Sequence, residues 1–194
     1  MRPPAGHTLI LAFGNPARLD DGLGPAFAAA LESAALESGA LESGTLESAA
    51  LESGPDVEIC WDYHLQIEQA TDVARASLVL FVDADRIGPA PFALRRIEPS
   101  PEPVRFTSHG VSPAGLLGLA EELHGKPPEA WLLGIRGYEF DGFGEQLSDG
   151  AKENLEAALA HVSRLLCLSH PSACSSAHSL AHSTTAETAG REHA

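Results

Sequence analysis

Three short stretches of this sequence gather residues able to do chemistry. The first, Gly14-Asn15-Pro16-Ala17-Arg18-Leu19-Asp20-Asp21-Gly22-Leu23-Gly24, sets an acidic pair in a glycine-rich segment. The second is Asp83-Ala84-Asp85 and the third Thr107-Ser108-His109-Gly110. A glycine-rich junction between a strand and a helix often cradles phosphate on the free N–H groups of the helix. Here the spacing fits neither GxGxxG nor GxxxxGK[ST], and Asp20 and Asp21 stand where a phosphate would bind. The dipole at a helix N-terminus favours their ionised form, which repels phosphate and attracts a cation. Either carboxylate could instead be the N-cap, and one can cap while the other points into a cleft. Asp83 follows an apolar run that offers it no partner. A carboxylate in that position is hydrogen-bonded, paired or metal-bound, because an isolated buried charge is costly. Asp85 is free to turn to solvent, and His109 alone serves as readily in packing as in ligation. Two carboxylates and an imidazole together make a mixed oxygen and nitrogen set with open positions, suited to nickel, zinc or iron. Cys60, Cys167 and Cys174 have no CxxC spacing, so neither a structural zinc site nor a disulfide framework is encoded.

These stretches sit between alternating strand and helix signals. Thr8 to Phe13, Val57 to Trp61, Leu78 to Val82 and Trp131 to Ile135 read as strands, the third covered on both faces. Phe92 to Ile97, bounded by Pro91 and Pro99, reads as an edge strand. Helical patterns run over about 22–36, 65–76, 113–123 and 149–167, the third behind Ser112-Pro113 and the last behind Ser148-Asp149. In the last, Ala151, Leu155, Ala158, Leu159, Val162 and Leu166 keep the helical period. The alternation predicts an α/β chain: a three-layer α/β/α domain over 1–168 with a mostly parallel, five-stranded twisted sheet. In such sheets, sites collect at the carboxyl ends of the strands, and all three polar stretches fall there.

Two regions stand apart. Residues 31–54 repeat Leu-Glu-Ser at a five-residue step, from Leu31 to Leu51. That step advances about 140° around a helix, so the leucines share no buried face. The segment reads as a low-complexity insertion whose first turns continue a helix. Residues 169–194, rich in Ser, Ala and His, read as a disordered tail. The formal net charge is −15, and the insertion's five Glu supply a third of it. Such a balance argues against nucleic acid and against anionic lipid as partners. No run approaches the roughly 18 apolar residues of a membrane span. The short run from Leu9 to Phe13 is no signal peptide, so a cytoplasmic monomer is expected.

At the polar stretches the chain resembles the [NiFe]-hydrogenase maturation proteases, endopeptidases that remove the C-terminal extension of the hydrogenase large-subunit precursor. Gly14-Asn15-Pro16 through Asp20-Asp21-Gly22-Leu23-Gly24 is similar to the family's opening motif, and Val82-Asp83-Ala84 to its strand-end aspartate. Ser108-His109-Gly110 with Leu116-Leu117-Gly118-Leu119-Ala120 resembles its histidine segment. Gly134-Ile135-Arg136 through Gly144-Glu145-Gln146-Leu147-Ser148 resembles its last strand and the start of its final helix. The likeness spans most of 8–167, without the insertion and the tail. It implies a metal-contacting set of Asp21, Asp83 and His109, and names no catalytic residue beyond that set. Asp21 stands where some members carry Glu, and Gln146 where many carry Gly. The implied activity is removal of the extension from a nickel-loaded precursor. The nickel is supplied by the substrate and is not held tightly by the free enzyme. Whether the metal polarises the scissile carbonyl or a carboxylate activates water stays open.

Other readings compete. A receiver-type signalling domain also sets an acidic pair after strand one and an aspartate after strand three. It would use magnesium and a phosphorylated Asp83, but it needs a lysine after the last strand, where Arg136 and Gly137 stand. A nucleotide-binding oxidoreductase is opposed by Asp20-Asp21. A non-catalytic nickel-binding module needs no residue beyond those the protease would use.

Overall fold

The computed structural model describes residues 6–37, 56–100 and 110–169. His109, the Leu-Glu-Ser repeats beyond Glu37 and the tail beyond Ser169 lie outside them. The strands are β1 (Thr8–Phe13), β2 (Val57–Asp62), β3 (Leu78–Asp85), β4 (Phe92–Ile97) and β5 (Glu129–Arg136). The helices are α1 (Leu23–Glu37), α2 (Ala70–Arg75), α3 (Pro113–His124) and α4 (Asp149–Ser169). The strands form one sheet in the order β2-β1-β3-β5-β4, parallel except for β4, which runs antiparallel to β5 at the edge.

Strand alternation divides the core into two layers. Ile10, Ala12, Leu80, Val82, Leu133 and Ile135 face one way and pack against Phe27 and Leu31 of α1 and Ala158 and Val162 of α4. Leu9, Leu11, Val79 and Phe81 face the other way, against Val73 of α2 and Leu116, Leu117 and Ala120 of α3. The three-layer α/β/α arrangement expected from the sequence is the one observed. Ser112 caps α3 as its residue type suggests, its Oγ accepting from the Gly115 amide at 3.1 Å ahead of Pro113. Among the described residues no helix is long and apolar enough to cross a membrane.

Two elements differ from the sequence reading. The helix expected over 65–76 is a 3-10 turn, Ile67–Gln69, followed by only Ala70–Arg75. Strand β3 runs three residues past its apolar stretch, because its pairing with β5 continues through Asp83↔Gly134 to Asp85↔Arg136. Asp83 therefore lies within the strand instead of just after it. The strand order also counts against the receiver reading. Doubly wound receiver folds order their strands 2-1-3-4-5, whereas here β5 lies inside and β4 takes the edge.

Candidate active site

Chain direction places the ends of β1, β2, β3 and β5 on one edge of the sheet, and the acidic turn lies there. After β1, the Gly14 amide donates to the Asp62 carbonyl at 3.1 Å, tying the start of the turn to β2. Gly14 has φ +142°, and a Cβ on it would overlap the Asp21 carbonyl oxygen, so only glycine lets the turn close over the strand end. Asn15 folds the next residues, its Oδ1 accepting from the Ala17 amide at 2.9 Å. Leu19 then adopts φ 55°, a left-handed conformation costing a leucine roughly 1–2 kcal/mol. The 3-10 turn Leu19–Gly22 follows and packs against β3.

The strained turn is held by the loop between β5 and α4. Leu19 donates its amide to Gly144 O at 2.8 Å, and Gly144 donates to Ala17 O at 2.9 Å. The main tie is Asp20, which is fully buried. Its Oδ2 accepts from the amides of Tyr138 (2.7 Å) and Glu139 (2.9 Å) and from Ser148 Oγ (2.7 Å). Its Oδ1 accepts from the Ser148 amide at 2.7 Å. Burial alone would raise its pKa. The donors from Glu139, Tyr138 and Ser148 outweigh that and hold the carboxyl below its ordinary range. Asp20 is therefore not the N-cap that local sequence allowed. Ser148 serves twice, since its Oγ also accepts from Ala151 N at 3.3 Å at the start of α4. In the sequence Ser148-Asp149 marks a helix start, but no local signal announces the link from Ser148 to Asp20 or the role of Asn154. Asn154 Nδ2 reaches the Arg136 carbonyl at 2.8 Å and Tyr138 Oη at 3.2 Å, fixing the end of β5 to α4.

Asp21, the next residue, is differently placed. It is half-buried, and its Oδ2 accepts from the Asn15 amide at 3.2 Å. Asp83 comes from the neighbouring strand, with its Oδ1 accepting from the Ala84 amide at 2.8 Å. Burial pushes the Asp83 carboxyl up to about 7; the Ala84 amide opposes the rise, and the charges of Asp21 and then Asp85 add to it. Asp21 and Asp83 thus share one field, and a cation between them would relieve both the repulsion and the desolvation. Asp85 does not point freely to solvent as expected. Its Oδ1 accepts from Ile87 N at 3.0 Å and Gly88 N at 2.7 Å, capping the turn into β4. Those amide bonds, the Ile87 one foremost, outweigh burial and hold it below the usual carboxylate range, with Arg136 and Arg95 assisting. Arg136, at the position a receiver would need as lysine, spends Nη1 on Gly88 O at 3.2 Å and lies 5.2 Å over the Tyr138 ring.

Among the described residues no three His, Cys, Asp or Glu side chains converge as a metal site. Asp21 and Asp83 lie at the same edge of the sheet, near enough for the charge of Asp21 to raise the Asp83 carboxyl; His109 lies outside the described residues. Its neighbour Gly110 sits beside the loop after β2, where a Cβ would stand 3.0 Å from His64 Cβ and 3.1 Å from Leu65 O. Val111 donates to Leu65 O at 3.3 Å. The segment following His109 is thus fastened to the edge of the sheet that carries the two aspartates.

No family model and no curated protein matches the chain. Solved structures do. A [NiFe] hydrogenase maturation protease HycI from Thermococcus kodakarensis KOD1 superposes with a TM-score of 0.55 at 22% identity, over 82% of this chain and 92% of the other. The hydrogenase maturating endopeptidase HybD from E. coli gives 0.56 at 19% identity, over 84% and 93%. A hydrogenase 2 maturation peptidase from Thaumarchaeota archaeon SCGC_AB-539-E09 gives 0.51 at 22%, over 84% and 99%. The chain has the fold of the hydrogenase maturation proteases. The likeness covers nearly the whole of each of these proteins.

Proposed function

We propose that this chain is an endopeptidase that removes the C-terminal extension of a nickel-loaded [NiFe]-hydrogenase large-subunit precursor. The observation that carries the reading is the contrast in the acidic turn. Asp20 is saturated by four donors, while Asp21 accepts from the Asn15 amide and its charge acts on Asp83 at the carboxyl edge of the sheet. A carboxylate made costly to ionise chiefly by burial, with a second carboxylate adding to that cost, has use for a divalent ion arriving with the substrate. In this reading Asp21, Asp83 and His109 contact the substrate's nickel, and that contact brings the adjoining C-terminal segment to the cleft. Two carboxylates and an imidazole leave about half an octahedral shell unfilled, so the ion stays with the substrate. The free protein, cut after Leu168 to remove the tail histidines, is then expected to retain no stoichiometric nickel or zinc through chelator dialysis. Elemental analysis checks this.

The reaction is tested by incubating the chain with nickel-loaded and nickel-free precursor and following the released peptide by mass spectrometry. Cleavage of the nickel-loaded form alone is expected. Tight binding without any cleavage would instead establish a non-catalytic nickel-reading module.

A further inference from the structure

The large apolar side chains exposed by the described residues are gathered, not scattered. Trp61, Tyr63, Ile67, Ile87, Tyr138 and Phe143 all lie near or beyond the carboxyl ends of β2, β3 and β5, on the edge that carries Asp21 and Asp83. Leu123, close to the end of α3, is the one such residue of the described set near the opposite edge. A lone exposed apolar residue needs no explanation, but a set concentrated around one cleft marks an interaction surface.

Ile87 and Phe143 are 92% and 91% exposed, yet neither stands on a loose loop. Asp85 caps the turn that carries Ile87. The acidic turn pairs with the segment that carries Phe143, through Leu19, Ala17 and Gly144. Arg86 then joins the two loops, 3.0 Å from the Asp141 carboxylate and 4.6 Å above the Phe140 ring. Two apolar side chains are thereby presented to water on braced loops, an arrangement that becomes favourable only when they are covered.

We propose that Ile87 and Phe143 anchor a docking surface for the folded body of the protein substrate, beside the cleft that takes its C-terminal segment. This rests on the endopeptidase reading above. Charge specifies the partner further. Residues 137–148 carry Glu139, Asp141 and Glu145 and no base. Arg86 engages Asp141, while the Glu139 and Glu145 residues are exposed. The surface that fits has an apolar centre with lysine or arginine on the side facing this segment. The chain's own tail is a poor occupant, since residues 170–194 hold Leu180 as their single large apolar side chain.

The test uses the full chain and the nickel-loaded large-subunit precursor. Ile87→Ser with Phe143→Ser is expected to raise KM for cleavage about tenfold or more, the scale of a lost hot spot, with the melting temperature unmoved. Glu139→Lys with Glu145→Lys should raise it less, and most at low salt. Leu123→Ser should leave it at the wild-type value. An unchanged KM in the Ile87/Phe143 double variant overturns the docking surface and leaves the endopeptidase reading standing. If the wild type binds precursor through these two residues without cleaving it, docking stands and the endopeptidase reading falls. Concentration-dependent self-association of the wild type, abolished in the double variant, would assign the surface to a second copy of the chain and overturn the proposal.

Discussion

Asp20 and Asp21 are adjacent, chemically identical and part of one glycine-rich turn, yet they do opposite work. Asp20 points inward and gathers the Tyr138, Glu139 and Ser148 donors, so its charge is consumed in holding the β5–α4 loop against the turn. Asp21 instead accepts from the Asn15 amide through one oxygen, and its charge acts on the Asp83 carboxyl. The difference shows how such a site is made. One carboxylate supplies the rigidity, including the stability that offsets the left-handed Leu19, so that the next is held near Asp83 on a braced turn.

The sharpest way to break this comparison is to remove Asp20. Asp20→Ala leaves several buried donors unpaired at roughly 1–3 kcal/mol each, so a loss of about 3–5 kcal/mol in a denaturant titration is expected. A loss within the roughly 0.5–2 kcal/mol of an ordinary N-cap would mean that the network is weaker than its geometry. Next in size is Gly137→Ala. Its Cβ would lie 2.7 Å from Phe140 Cζ and 2.9 Å from Asp20 Cβ, and overpacking of this kind costs about 1–3 kcal/mol. Asp85→Ala removes only a turn cap and should cost about 0.5–1.5 kcal/mol with processing retained.

The two kinds of carboxylate also move stability in opposite directions with pH. Asp83 has a folded pKa of about 7 against roughly 3.9 unfolded, so the native state holds the extra proton between those values. The stability it adds is full below pH ~4 and is lost as pH rises through about 7. Asp20 is shifted down, so its contribution is present above pH ~4 and is lost as pH falls through its folded pKa. Asp83→Asn should flatten the decline between pH ~4 and 7, and Asp20→Asn should remove part of the acid-side loss. Melting temperatures across pH in the metal-free protein read both. Identical profiles for the two variants would remove the distinction between them.

How much of this was legible in the sequence follows from the range of each interaction. The strands and α3 were, because apolar runs and the Ser112-Pro113 cap are local signals. So was the gathering of Asp21 and Asp83 at one edge, since strand ends in a parallel sheet fall together. The role of Asp20 was not. Its donors lie 118 to 128 residues away and are mostly backbone amides, which no residue type announces. The extent of β3 was hidden for a related reason: Asp83 and Asp85 look like a strand's end, and only pairing with β5 keeps them in the ladder. The α2 region reads as helical throughout, but it opens on a 3-10 turn in which the Gln66 amide donates to Gln69 Oε1 at 2.9 Å.

The most direct test of the central claim is cleavage of nickel-loaded precursor by Asp21→Asn, beside wild type and Asp85→Asn, each checked for an intact melting transition. The account predicts that Asp21→Asn folds as stably as wild type and releases no C-terminal peptide, while Asp85→Asn still processes the precursor. Normal cleavage by a folded Asp21→Asn protein would contradict it.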